Sequence, residues 1–256
     1  MSEAAERPVK IRVSGLFKSF ATKKGAVDVL EGVDLAVRPE EFLAIVGPSG
    51  CGKSTLLACI AGFERATRGT IEIDGAAVAG PSKKRVFVFQ ETGIFPWLTV
   101  RENIGFGLGA LAREERDEVI GRYVALVGLQ GFERSYPAEL SGGMKQRVEF
   151  ARALAVDSDV LFLDEPFGAL DAFTRLEMRR EISRIAKGTK KTCLLVTHDV
   201  EEAVELADRI AVMTRRPARI ERVLENPLPR PRDPDDEGFR ALKDGIFEIL
   251  GVERRV

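Results

Sequence analysis

The chain has 256 residues, enough for one large domain or two small ones. Its 39 lysines and arginines nearly balance 40 aspartates and glutamates, and a net charge of −1 argues against a nucleic-acid binder held by a large positive field. Hydrophobic residues make up 45%, ample for a packed core, yet no run approaches the ~18 apolar residues that cross a bilayer.

Residues 1–10 are mostly polar and charged, without the apolar stretch of a secretion signal. Ile11 and Val13 alternate with charged or polar neighbours, and Val33, Leu35 and Val37 repeat the period of two. An antiparallel pair of half-buried strands is expected there, ahead of the first α/β unit. Phe20 lies just past the first strand, as either a flat platform under a nucleotide base or an ordinary core aromatic. Phe42–Val46 then reads as a buried strand and Leu56–Ala61 as a helix. Between them Gly47, Pro48, Ser49, Gly50, Cys51, Gly52, Lys53, Ser54 and Thr55 spell the pattern G-x-x-x-x-G-K-[ST]. Its glycines let backbone N–H groups turn inward around a polyphosphate, and the helix start adds roughly half a positive charge. Lys53 would reach the terminal phosphates and Ser54 would place its hydroxyl on Mg²⁺. Cys51, Cys59 and Cys193 have no metal-ligand spacing and read as free thiols, Cys51 reacting only while the loop is empty.

Thr70–Ile73 alternates into Asp74 and Gly75, a hairpin signal. Arg85–Phe89 reads as a strand with Gln90 at its C-terminal end, where α/β sheets bind ligands. Gln90 there either touches a metal ion or the attacking water, or is a solvated loop residue. Phe95, Trp97 and Leu98 surround a proline in a loop, and they either tuck into a local core or offer a contact surface. Thr99 and Glu102 spell a capping box, and Val119 to Val127 carries a helical apolar stripe. Residues about 92–156 therefore read as a helical subdomain. Within it, Leu140–Arg147 opens an amphipathic helix whose first residues, Ser141, Gly142 and Gly143, make a second anion site.

Val160–Asp164 is a buried strand ending in two acids. Asp164 can hold Mg²⁺. Glu165, facing the other way along an extended chain, can act as base for water. Asp171 would cap the helix from Ala172 to Ala186. Strand Thr192–Thr197 delivers His198, the only histidine, to the same sheet end as Gly47, Gln90 and Glu165. A neutral imidazole there can donate to a γ-phosphate oxygen or position the water.

In this order Gly47–Thr55, Gln90, Leu140–Gln146, Leu161–Glu165, Ala169–Asp171 and His198 resemble the ATPase subunit of an ABC transporter. The resemblance covers roughly residues 8–225, with 226–256 as a proline-rich linker and helix, and Leu140–Gln146 is its most specific piece. It implies an α/β P-loop NTPase fold with a mostly parallel core sheet, an N-terminal antiparallel β subdomain and a helical insertion. It implies ATP and Mg²⁺ as cofactors, the metal held by Ser54, Gln90 and Asp164. It also implies a head-to-tail homodimer, each ATP lying between one copy's P-loop and the other copy's Ser141, Gly142, Gly143 and Asp171. Phe20 would stack on adenine, Gln90 would sense Mg²⁺ and the transmembrane partner, Glu165 would be the general base, and His198 would hold the γ-phosphate.

A chain without a membrane span resembles importers, whose permease subunits are separate and are served by a solute-binding protein. Such an ATPase sits at the cytoplasmic face of the membrane. Gln90–Val100 and Tyr136–Met144 look closest to the nitrate/sulfonate/taurine branch, and Val256 comes too early for the regulatory domain of sugar-importer ATPases. The alternatives are a soluble ABC ATPase outside transport and the ATPase of an efflux or lipid system. No nucleic-acid partner is expected.

Overall fold

The computed structural model describes residues 8–23, 25–90, 93–168, 170–188 and 190–251, with the backbone alone at 185–188. Glu91, Thr92 and Ala169, which belong to motifs quoted above, lie outside the described residues. Two units emerge: one from the described residues up to Ser82 and after Gly188, the other from Lys83–Gly188.

The first unit begins with β1 (Ile11–Thr22) and β2 (Gly25–Val37), an antiparallel pair. Ile11, Val13 and Leu16 of β1 are buried, as are Val33, Leu35 and Val37 of β2, the two-residue alternation that one covered face demands. Phe20 lies inside β1, paired with Val27, and not past the strand's end. Register shifts between Val13 and Ser19 break the alternation from which a strand is read, and so hid its second half. Next come β3 (Phe42–Val46) and α1 (Lys53–Ala61). β4 (Arg68–Ile73) and β5 (Ala76–Ala77) join through Asp74 and Gly75, both at positive φ as the tight hairpin requires. The antiparallel sheet runs β2-β1-β4-β5.

The second unit contains β6 (Arg85–Val88), α2 (Val100–Gly105), α3 (Arg113–Leu126), α4 (Gly142–Ala155), β7 (Val160–Asp164) and α5 (Ala172–Gly188). β6 and β7 pair in parallel. Val100, Ile104, Ile120, Val124, Leu140 and Val148 interlock into one apolar cluster. The capping box forms: Thr99 Oγ1 accepts from Glu102 N–H, and the Glu102 carboxylate accepts from Thr99 N–H at 2.8 Å. Asn103, fully buried, donates to the carbonyls of Phe95, Leu98 and Thr99 and accepts from Phe95 N–H. One amide thus organises the aromatic loop.

The chain then completes the first unit with β8 (Thr192–Thr197), α6 (Val200–Leu206), β9 (Arg209–Met213), β10 (Ile220–Glu225) and α7 (Glu237–Ile249). β3 is flanked by β8 and β9, both parallel to it, with β10 antiparallel on β9. All five residues of β3 are buried, as expected of a strand covered on both faces. The architecture is α/β, mostly parallel strands plus an antiparallel sheet and helices. The proline-rich segment after β10 is tied down: Asn226 and Arg232 donate to the carbonyls of Val204 and Ala207 at the end of α6. No helix among the described residues is long and apolar enough to cross a membrane.

Candidate nucleotide site

Phe20, Gly47–Thr55 and His198 stand in the first unit. β3 ends at Val46 and hands over to the loop, which closes at Gly52, the residue preceding α1. Gly52 has φ of +122°, and a Cβ there would lie 2.8 Å from Val29 Cγ1, so only glycine fits. No acidic residue occupies the first turn of α1, which leaves its positive end uncompensated. Lys53, 4% exposed, donates from Nζ to the carbonyls of Gly47 at 2.9 Å and Pro48 at 3.2 Å, so its charge sits within the loop's own curve. The parallel register pairs Val46 with Thr197, and Gly47 and His198 therefore leave the sheet side by side. His198 is held in a turn whose flanks are braced. Thr197 Oγ1 donates to Glu202 at 2.7 Å and accepts from Asp199 N–H, while Asp199 caps α6.

Phe20 is about one-third exposed, with Lys18 Nζ 4.5 Å above its ring. Cys51 is 2% exposed and burial pushes its thiol above the usual range. Little of the Cys51 side chain reaches solvent in the loop as it stands.

Gln90, Ser141–Gly143, Asp164, Glu165 and Asp171 stand in the second unit. Glu165 does not continue the extended chain of β7. Its φ is +45°, because a turn closes at once through Gly168 N–H to Glu165 O. The carboxylate meets Gln90, whose Nε2 lies 3.4 Å from Oε2. Asp164, 7% exposed, ends the buried strand. Ser141 caps α4 through Met144 N–H, with Gly142 exposed beside it. Asp171 caps α5 through Thr174 N–H at 3.0 Å, and that bond holds its carboxyl below the ordinary range.

The donors of each unit are of the kind that ATP and Mg²⁺ take: in the first, the glycine loop with Lys53 for a polyphosphate and the Ser54 hydroxyl for a hard cation; in the second, the Gln90 amide and the Asp164 carboxylate. The structure brings Gly47, Lys53 and His198 together in one unit, and Gln90 with Glu165 in the other.

The family model for the ABC transporter matches residues 30–168. The chain belongs to the ABC transporter family. This cassette is 45% identical over 238 residues to the aliphatic sulfonates import ATP-binding protein SsuB of Bacillus cereus, covering 93% of this chain and 94% of that one. It is 43% identical to the bicarbonate transport ATP-binding protein CmpC of Synechococcus elongatus, covering 96% of this chain and 39% of that longer one. Its backbone is similar, at a TM-score of 0.76 and 30% identity, to the dimeric post-hydrolysis structure of the ATP-binding cassette MJ0796 bound to ADP and Pi, covering 87% of this chain and 99% of that one. The cassette is an ABC-type ATPase.

Three side chains of the cassette's α4 were not singled out from sequence. Gln146 donates to the carbonyl of Pro166, next to Glu165. Glu149 and Arg152 reach Gly93, three residues past Gln90. No local pattern in the sequence marks them, because each partner lies 20 or more positions away along the chain.

Proposed function

We propose that this cassette is the ATP-hydrolysing subunit of an ABC importer, taking up a small anionic solute of the sulfonate, taurine, nitrate or bicarbonate kind through separate transmembrane subunits. The observation that carries the reading is one chain with two glycine-rich helix starts suited to anions, Gly47–Thr55 on α1 and Ser141–Gly143 on α4, together with a Gln90–Glu165 pair 3.4 Å apart in the second unit. Similarity along nearly the whole of a sulfonate-import ATPase supports the importer branch.

In this reading Lys53 and the loop N–H groups hold the β- and γ-phosphates, and Phe20 lies under the adenine. Ser54, Gln90 and Asp164 would hold Mg²⁺, which would supply neutralisation of the polyphosphate charge. Glu165 takes the proton of the attacking water, which Gln90 helps to orient. His198 donates to a γ-phosphate oxygen as charge builds there. Ser141, Gly142, Gly143 and Asp171 of a second copy close each site, head to tail. The domain would span 8–225, with about 92–156 as its helical part and 226–256 as its C-terminal extension. The exposed aromatics Trp97 and Phe106, packed around Phe95, give the permease a place to grip at the cytoplasmic face. A separate solute-binding protein would deliver the cargo.

Vesicles carrying the cassette with its membrane partners test this. Labelled sulfonate or bicarbonate should accumulate only with Mg-ATP on the cassette's side. Recovery of the cassette with RNA and without any multi-span partner would overturn it.

A further inference from the structure

Helix α4 does more in this fold than begin with Ser141–Gly143. On successive turns it sends three polar side chains toward the two segments that carry Gln90 and Glu165. Gln146, 3% exposed, holds the Pro166 carbonyl. Glu149, 1% exposed, accepts from Gly93 N–H at 3.2 Å, with Phe89 N–H as a second donor. Arg152 donates to the Gly93 carbonyl at 2.8 Å and lies 4.9 Å over the Phe95 ring. The carboxylate therefore grips the chain on both sides of Gln90, at residues 89 and 93.

We propose that Glu149 and Arg152 are positioning residues that fasten the Gln90 segment to α4 and so set where Gln90 stands against Glu165. The proposal rests on the reading of Gln90 and Glu165 as reaction residues.

Three observations favour a positioning role over plain packing. A buried carboxylate is a costly way to anchor a helix, since an apolar side chain of similar volume would hold it at lower desolvation cost. What the carboxylate adds is direction, because it faces two specified N–H groups. Glu149 Oε1 and Arg152 Nη1 are also buried with no hydrogen-bond partner among the described residues, which leaves bonding capacity at both side chains there. Finally, the fit at Gly93 is close: a Cβ there would stand 3.3 Å from Glu149 Oε1 and 3.6 Å from Arg152 Nη2. Small displacements at this contact pass to Gln90, whose 3.4 Å approach to Glu165 is already long for a hydrogen bond.

The test uses the full chain and steady-state Mg-ATP hydrolysis, with thermal midpoints measured alongside. Glu149→Gln keeps the volume and removes one accepting oxygen. Gly93→Ala presses on the same contact from the loop and leaves α4 untouched. Both should lower kcat, the first by about tenfold and the second by about threefold, with KM for Mg-ATP within about twofold and the midpoint unmoved. The proposal is overturned if kcat stays at the parent value in both, if KM rises as far as kcat falls, or if the loss follows only the loss of folded protein. Glu165→Gln run beside them separates this from the reading beneath it. Normal turnover in Glu165→Gln removes the base assignment, whereas its loss with Glu149→Gln and Gly93→Ala both normal removes the clamp alone.

Discussion

Glu165 shows how much a single φ angle can decide. At +45° the residue sits where side chains rarely go, at a cost of roughly 1–2 kcal/mol, and the turn brings its carboxylate to Gln90. Glu165→Gln should keep ATP binding but lose on the order of 10²–10⁴ in turnover, measured as phosphate release against nucleotide retention. Glu149 supplies a pH test. Burial raises its carboxyl above the ordinary range, against the pull of Gly93 N–H, Arg152 and Phe89 N–H. Between the ordinary and raised values the folded chain keeps a proton that the unfolded chain releases, so stability falls as pH rises through that window. Glu149→Gln lacks that slope. Its urea midpoint should therefore gain on the parent's as pH rises through that window, and a constant difference would remove the linkage. Residues whose partners lie nearby in sequence were legible in advance: Thr99 with Glu102, and Asp171 with Thr174. Glu149 was not, because its partner Gly93 lies 56 positions away and no local pattern announces it.

Elements were legible where one periodicity governs them. β3 and β7 read as buried runs, and α4 as a helix opening at Ser-Gly-Gly, because burial on both faces or along one stripe writes itself into composition. The second half of β1 escaped because register shifts destroy the alternation. The end of α6 escaped for a different reason. Its last carbonyls are satisfied by a side chain from beyond β10, Arg232, which donates to Val204, Glu205 and Ala207 at 2.7 to 3.0 Å. Desolvation brings that guanidinium down to about 10, in keeping with a side chain that is buried. Arg232→Ala should strip these carbonyls of a buried donor and cost about 2–3 kcal/mol in chemical denaturation, with ATP affinity kept. An effect below about 0.5 kcal/mol would mean that Asn226 and Arg230 hold the helix end without it.

At the scale of the molecule, the proposed function assigns the two units different parts of the nucleotide chemistry. The P-loop and His198 lie in one unit, the Ser141 helix with Gln90 and Glu165 in the other. In the head-to-tail reading, Glu165→Gln with Mg-ATP should run as a dimer in sizing chromatography. Adding Gly142→Glu should leave a folded monomer, since no atom of the described residues lies within 4 Å of a Cβ at Gly142 and the clash falls on the second copy. A dimer that survives that change would place the contact elsewhere. The aromatic loop carries one more consequence. Trp97 is the chain's sole tryptophan and is 69% exposed, 5.6 Å from Phe95. All indole emission from the subunit therefore originates at one surface point. Assembly with the permease at that point should shift the emission to shorter wavelength, while assembly through any other face leaves the spectrum as it is. The protein carries its own optical probe of docking, and no label is needed to read it.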